Sequence, residues 1–249
     1  EINSGLYHRT PKEILSFWES NYKLVDSEAD KMEKYFKMIE EDLCISYFPN
    51  GQIPEASLAL ENGANKLGWK VQEVPRWFKY DQSQFCHGIK MTMTKTYLKN
   101  YLENGGLVYE LSKVKTLKTY YDKWDVNYHT LNVERSIRAK NVILSAGTIG
   151  TSQILRRSNL SRLAGRRFQM HPTIKVVALF DKKENKKDMG VPVHQVKEFA
   201  PDYSLGCSIS SKQYLRVAML DHPNQQSIVD QNWQKMAIYY AMIKPEGTG

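Results

Sequence analysis

The stretch Ala139–Leu160, AKNVILSAGTIGTSQILRRSNL, decides the reading of this chain. Val142, Ile143 and Leu144 form a short apolar run, the pattern of a buried parallel strand. The run breaks at Ser145, Ala146 and Gly147, small residues that let backbone come close to a ligand. From Thr148 to Ser158 the pattern predicts a helix. Ile149, Ile154 and Leu155 fall near helical spacing, and Arg156 and Arg157 occupy the last turn, where cations complement the helix dipole. A strand running through a glycine turn into a helix N-terminus is a place where phosphates and nucleotides bind. The same arrangement also serves as a purely structural turn in many α/β folds.

Upstream, the first eighty residues read as mainly helical. Thr10-Pro11-Lys12-Glu13 has the form of a capping box with proline at the first helical position, opening a helix through Phe17 and Trp18. Ser27 or Asp30 is placed to cap the next helix, whose Met32, Tyr35, Phe36 and Ile39 form a stripe read as core packing. Phe48 to Pro54 is a loop, and a further helix is predicted from about Ser57 to Leu67, stopped by Gly68. From Leu107 the period changes. Leu107–Tyr121, Val126–Leu131 and Val133–Ala139 read as three short strands, with Asp122-Lys123-Trp124 in one turn. After His171 strands return at Ile174–Phe180 and Met236–Ile243, with Leu215–Leu220 as another. Lys182–Asp188 reads as a solvated hairpin or loop.

Composition narrows the function classes. At 249 residues and 41% apolar content the chain can bury a sizeable core, and its length allows one or two domains. No apolar run approaches the roughly eighteen residues of a membrane span, and no signal peptide is read after Glu1. The net charge of +8 is spread along the chain without a nucleic-acid-binding motif, so it is read as a solvated surface that also helps retain an anionic dinucleotide. Cys44, Cys86 and Cys207 are odd in number and widely spaced, which points to a reducing compartment, the cytoplasm, and no metal site is predicted. His171, before Pro172, is expected to be a packed, hydrogen-bonded residue and not a base. His8, His87, His129, His194 and His222 have no partner spacing that singles them out.

The order Gly147, Thr148, Thr151, Ser152, Ile154, Leu155, Ser158 resembles the second signature of the glucose–methanol–choline (GMC) family of FAD-dependent oxidoreductases. Asn159 stands where glycine is usual, and asparagine tolerates the left-handed conformation that glycine supplies at a helix end. Three further segments are similar to the family. Ile2–Pro11 resembles the stretch after its flavin-covering loop, with Asn3 at its asparagine. Phe85–Lys90, then Thr94 and Tyr97-Leu98, resembles the C-x-x-G-x-K…YL segment of its alcohol-oxidising branch, with the first spacing one residue short. Gly165–Pro172 resembles its G-R-N-(x)-x-x-H-P run.

The resemblance implies an α/β (α+β) fold: part of an FAD-binding Rossmann-like domain with a β-meander, and part of an antiparallel-sheet substrate domain. On that frame residues 1–80 are the flavin-covering and helical cap segment, 81–170 belong to the FAD-binding domain, and 171–249 to the substrate domain. The implied activity is oxidation of an alcohol, of a sugar-like or long-chain kind, by hydride transfer to flavin, with oxygen or another acceptor taking the electrons. FAD is the implied cofactor, with Asn3 near the flavin ring, Val114 backbone at the adenine, and Ala146 and Gly147 by the dinucleotide. The fingerprint G-x-G-x-x-G is absent from these residues, and the family's catalytic pair is expected C-terminal to Gly249, so the chain reads as the middle of a longer enzyme. The competing expectation is a catalytically incomplete remnant that acts as a binding or scaffold subunit.

Overall fold

The computed structural model describes residues 4–49, 53–80, 88–185 and 191–247; Asn3, Cys86 and His87 lie outside them. In chain order the helices are α1 (Lys12–Tyr22), α2 (Ala29–Asp42), α3 (Glu55–Lys66), α4 (Tyr97–Glu103), α5 (Gly147–Arg157), α6 (Lys212–Ala218) and α7 (Gln226–Asn232). The strands of the first part are β1 (Ile45–Ser46), β2 (Val71–Glu73), β3 (Arg76–Lys79) and β4 (Ile89–Lys90). Those that follow are β5 (Ser112–Tyr120), β6 (Lys123–Thr130), β7 (Val133–Ala139), β8 (Thr173–Leu179), β9 (His194–Val196), β10 (Tyr203–Cys207) and β11 (Met236–Ile243). They form three antiparallel sheets, ordered β1-β3-β4, β2-β9-β10-β11-β8 and β5-β6-β7.

Two compact units divide the chain. One comprises Glu1–Asn100 with His171–Lys244, the other Tyr101–Met170 with Pro245–Gly249. The larger unit is built on the five-stranded sheet. Side chains alternate across a strand, so Met236 and Ile238 of β11 face α6 and α7 while Ala237 and Tyr239 face α3. Leu215, Met219, Val229, Met236 and Ile238 make the first core cluster, and Ala56, Cys207 and Ala237 the second. On the α3 side, Ser57 Oγ accepts the N–H groups of Val193 (2.9 Å) and His194 (3.2 Å). Tyr239 donates to the carbonyl of Ala56 at 2.9 Å. These bonds tie a helix to strands far away in sequence. Burial in the second cluster pushes the Cys207 thiol up to about 12, so it is a packed apolar group and not a nucleophile.

The smaller unit is the meander β5-β6-β7 with α5 laid against β5. Its second hairpin turns through Leu131 and Asn132, both at positive φ (49° and 68°), as two-residue hairpin loops require. Asp125 and Arg138 stand directly opposite on β6 and β7 and form an ion pair at 2.7 Å, which holds the Asp125 carboxyl below its ordinary range.

Several expectations are corrected. Val142–Leu144 is not a parallel strand: no strand among the described residues lies beside it, and Ile143 is 90% exposed. A strand exists only through a hydrogen-bonded neighbour, so an apolar run without one remains extended loop. No Rossmann-like parallel sheet is therefore present among the described residues. Leu215–Leu220 is no strand: Leu215–Ala218 lie in α6 and a turn follows, because Ser211 caps the Tyr214 N–H and Leu215 and Met219 meet the core at helical spacing. The Thr10 capping box does not form, since Pro11 is itself the N-cap of α1, and neither Ser27 nor Asp30 caps α2, whose N-cap is Glu28. Tyr35, expected in the core, is 48% exposed.

The first eighty residues also carry β1, β2 and β3. Residues 107–111 precede β5, and the first meander turn is Tyr121-Asp122, with Lys123 and Trp124 already in β6. In the loop after β8, Glu184 and Asn185 are buried: both backbone N–H groups bond the Gln234 carbonyl, and Asn185 Nδ2 donates to the carbonyls of Trp233 and Met236. His171 is exposed at the head of edge strand β8, where its backbone carbonyl, not a packed ring, accepts from Thr173 Oγ1.

Leu215 is fully buried at the centre of the larger cluster. Leu215→Ala is expected to lower stability by about 3 kcal/mol, read from the midpoint of a urea unfolding curve followed by far-UV circular dichroism.

Candidate functional site

The smaller unit contains a cleft between the start of β5 and the N-terminal half of α5, with a volume of about 480 Å³. Val114 forms part of one wall, Ile143 and Ala146 the approach to α5, and Ile154 and Arg157 the helix face opposite; Lys113 stands at the rim. Gly150, Ile154 and Arg157 follow helical spacing, which puts them on one side of α5. Two cations and no carboxylate line the cleft.

Two hydrogen bonds of one hydroxyl hold its walls together. Ser158 Oγ donates to the carbonyl of Ile154 (2.7 Å) and accepts the N–H of Leu117 (2.8 Å). Leu117 is buried, so this N–H has no recourse to water. Its direction matters too. β5 is the edge of its sheet, and the Leu117 N–H points away from β6 toward α5. Between Val114 and Thr116 the β5–β6 register shifts by a bulge, a local break that turns the strand just where it meets the cleft.

Both ends of α5 follow from local chemistry. Gly147 opens it at φ +75°, a conformation that disfavours any β-branched side chain, and a Cβ there would meet nothing of the chain within 4 Å. Thr151 Oγ1 accepts the Ala146 N–H at 3.2 Å, and no side chain caps the N-terminus. At the other end Asn159 is left-handed (φ 56°). The Leu160 N–H bonds the Leu155 carbonyl (3.0 Å) and the Asn159 N–H bonds that of Arg156 (3.1 Å). This is a Schellman termination, with asparagine filling the place usual for glycine.

Of the residues singled out from sequence, Val114 and Ala146 line the same cleft and Gly147 follows directly at the helix start. Asn3 lies outside the described residues. Sequence reasoning placed Ser158 in a signature without a role and missed Lys113 and Arg157. Their signal was available only weakly, as a cation four residues beyond Gln153 on the cleft face and another beside Val114.

The larger unit carries a second surface that sequence reasoning missed. The register aligns Gln72, Gln195, Gly206, Tyr240 and Lys175 in one row across all five strands. Gly206 lacks the Cβ that would lie 2.3 Å from the Tyr240 hydroxyl, so the Tyr240 side chain crosses it and accepts from Gln195 Nε2 at 2.7 Å. The Gln195 Oε1 in turn bonds His8 Nε2 at 3.1 Å. α6 and α7 cover the Met236 end of this face. A cavity of about 240 Å³ lies at the Tyr240 end, walled by Thr173, Lys175, Tyr240 and Met242 with Ser4 and Leu6. A glycine inside a strand is the sequence sign of such a crossing.

The sequence pattern of the GMC oxidoreductase family matches residues 1–173. The chain belongs to the GMC oxidoreductases, a flavoprotein family. It is similar to a Sinorhizobium fredii protein described as the uncharacterized GMC-type oxidoreductase y4nJ, at 28% identity over 261 residues. That match takes in all of this chain and 52% of the relative, so the chain spans about half of the relative's length. No helix among the described residues is long and apolar enough to cross a membrane.

Ser158→Ala is expected to cost about 1–3 kcal/mol by stranding the buried Leu117 N–H. Ser158→Thr, which keeps the hydroxyl, should recover most of it. Hydrogen exchange at the Leu117 amide reads both directly.

Proposed function

We propose that this chain is part of an FAD-dependent oxidoreductase that oxidises an alcohol, and that the β5–α5 cleft takes the adenosine end of the cofactor. The observation that carries the reading is the meeting of Val114, on the free edge of β5, with Ala146 at an uncapped helix N-terminus, in a cleft whose charged residues are both cations. The residues fit the group. Adenine needs an apolar slot with a backbone donor and acceptor, and an edge strand beside Val114, Ile143 and Ile154 supplies these. The diphosphate needs positive charge and close backbone, which Lys113, Arg157 and the Gly147 turn supply. The space beyond Gly147, empty of the chain's own atoms, is where a Cβ would intrude.

Bound FAD supplies the hydride acceptor for converting the alcohol carbon to a carbonyl. On the substrate side we place the open end of the five-stranded sheet, where Lys175 and the hydroxyl of Tyr240 face the cavity and Gln195 fixes that hydroxyl. Such a polar row orients a hydroxylated substrate by hydrogen bonds, while Met242 and Leu6 exclude water from its carbon skeleton. Oxygen or another acceptor then takes the electrons.

Titration of the chain with FAD, followed by flavin fluorescence, tests the reading. Binding is expected to be saturable, competed by ADP and not by FMN, and weakened roughly tenfold or more by Arg157→Gln, as for loss of a charge-assisted contact. Gly147→Val should weaken it at least as much. Undiminished binding in both variants would remove the cofactor from this cleft, and absence of any FAD binding would favour the binding-subunit reading.

A further inference from the structure

A second cleft runs along another face of α5, formed by Thr148, Ile149, Ser152 and Arg156 and closed by the turn Gly165–Gln169; its volume is about 510 Å³. The turn can pack this tightly because residue 165 is glycine at φ +80°, where a Cβ would come within 3.3 Å of Ser152 Cβ. Arg156, Arg166 and Arg167 all line the cleft, and no carboxylate does. Among the described residues none of the three guanidinium groups has a hydrogen bond or an ion pair. Three other arginines are paired: Arg9 with Glu33 and Glu40, Arg138 with Asp125, Arg216 with Asp230.

The backbone adds an independent mark. Arg167 is held at φ 57°, a left-handed conformation that arginine rarely adopts. Strain of this kind persists where surrounding structure fixes it, and here it falls on one of three exposed arginines that line the cleft. Three uncompensated like charges repel one another, and an oxyanion between them removes that repulsion. Planar guanidinium forks match phosphoryl oxygens bidentately, and the amides of Gln153 and Gln169 line the same space as neutral donors.

We propose that this cleft is a binding site for a diphosphate group, distinct from the adenosine cleft on the other side of α5. The proposal stands on the arginines alone and does not rest on the flavin reading. Its test is isothermal titration of the 249-residue chain with inorganic pyrophosphate at low ionic strength. Saturable binding is expected that persists in Arg157→Gln and is weakened roughly tenfold or more by Arg156→Gln and by Arg167→Asn, as for charge-assisted hydrogen bonds. Asparagine tolerates the left-handed conformation, so Arg167→Asn should fold at least as well as the parent.

Lys123→Gln, which removes one charge from β6 outside the cleft, should leave the affinity unchanged. Absence of saturable binding, or equal weakening by Lys123→Gln, overturns the proposal. Prior saturation with FAD identifies the source of the group. Persistence of the pyrophosphate signal assigns the cleft to a separate phosphorylated ligand; its loss overturns the proposal, because the one diphosphate of FAD is read in the β5–α5 cleft. A chain that binds pyrophosphate here but not FAD would sink the cofactor reading alone.

Discussion

The hydroxyl of Ser158 is the contact on which the smaller unit turns. A helix packs on a sheet by its apolar stripe, but α5 buries only Ile154 among its own residues, and apolar burial alone would not fix its height along β5. The hydroxyl supplies that fix by bonding one carbonyl of α5 and one outward N–H of β5. The outward N–H exists because β5 is an edge strand. The bulge beside Val114 breaks the β5–β6 ladder at the cleft, which lies between this part of the strand and the helix start. Edge, bulge and hydroxyl are thus one device.

In the larger unit the corresponding constraint is an absence. Gly206 has no side chain, so Tyr240 can lie across β10 and reach Gln195 on β9. The register makes this possible, since Gly206 stands opposite both residues. Covering helices complete the logic. α6 and α7 close the Met236 end of that face over Leu215 and Val229, so the polar row at the Tyr240 end is left facing a cavity. Burial of the Tyr240 ring raises its hydroxyl above the ordinary phenol range, and it serves as a neutral hydrogen-bonding group.

Legibility in the sequence followed the range of the interaction concerned. α5 and its Asn159 termination, the three meander strands and Met236–Ile243 were readable, because periodicity, caps and two-residue turns are local. Val142–Leu144 and Leu215–Leu220 were misread for a shared reason. A short apolar run says that a segment wants burial, and a neighbour decides in what form. Residues 142–144 have no strand beside them, whereas Leu215 and Met219 find α7 and β11 on one helical face. The candidate site was half legible. Val114, Ala146 and Gly147 came from motif resemblance, while Lys113, Arg157 and the arginine cleft depend on which side chains α5 presents to β5 and to the Gly165 turn.

The sequence by itself determined the family, the helix from Gly147, the meander and the long strand β11, since each rests on residue type at near-neighbour spacing. Tertiary structure alone decided the bulge at Val114, the row from Gln72 to Lys175 and the gathering of three unpaired arginines beside α5. The bulge and the row join residues of different strands through hydrogen-bond register, and the arginines meet through the closing of the Gly165 turn on α5. Register is set by the whole sheet at once, so no local window of sequence contains it.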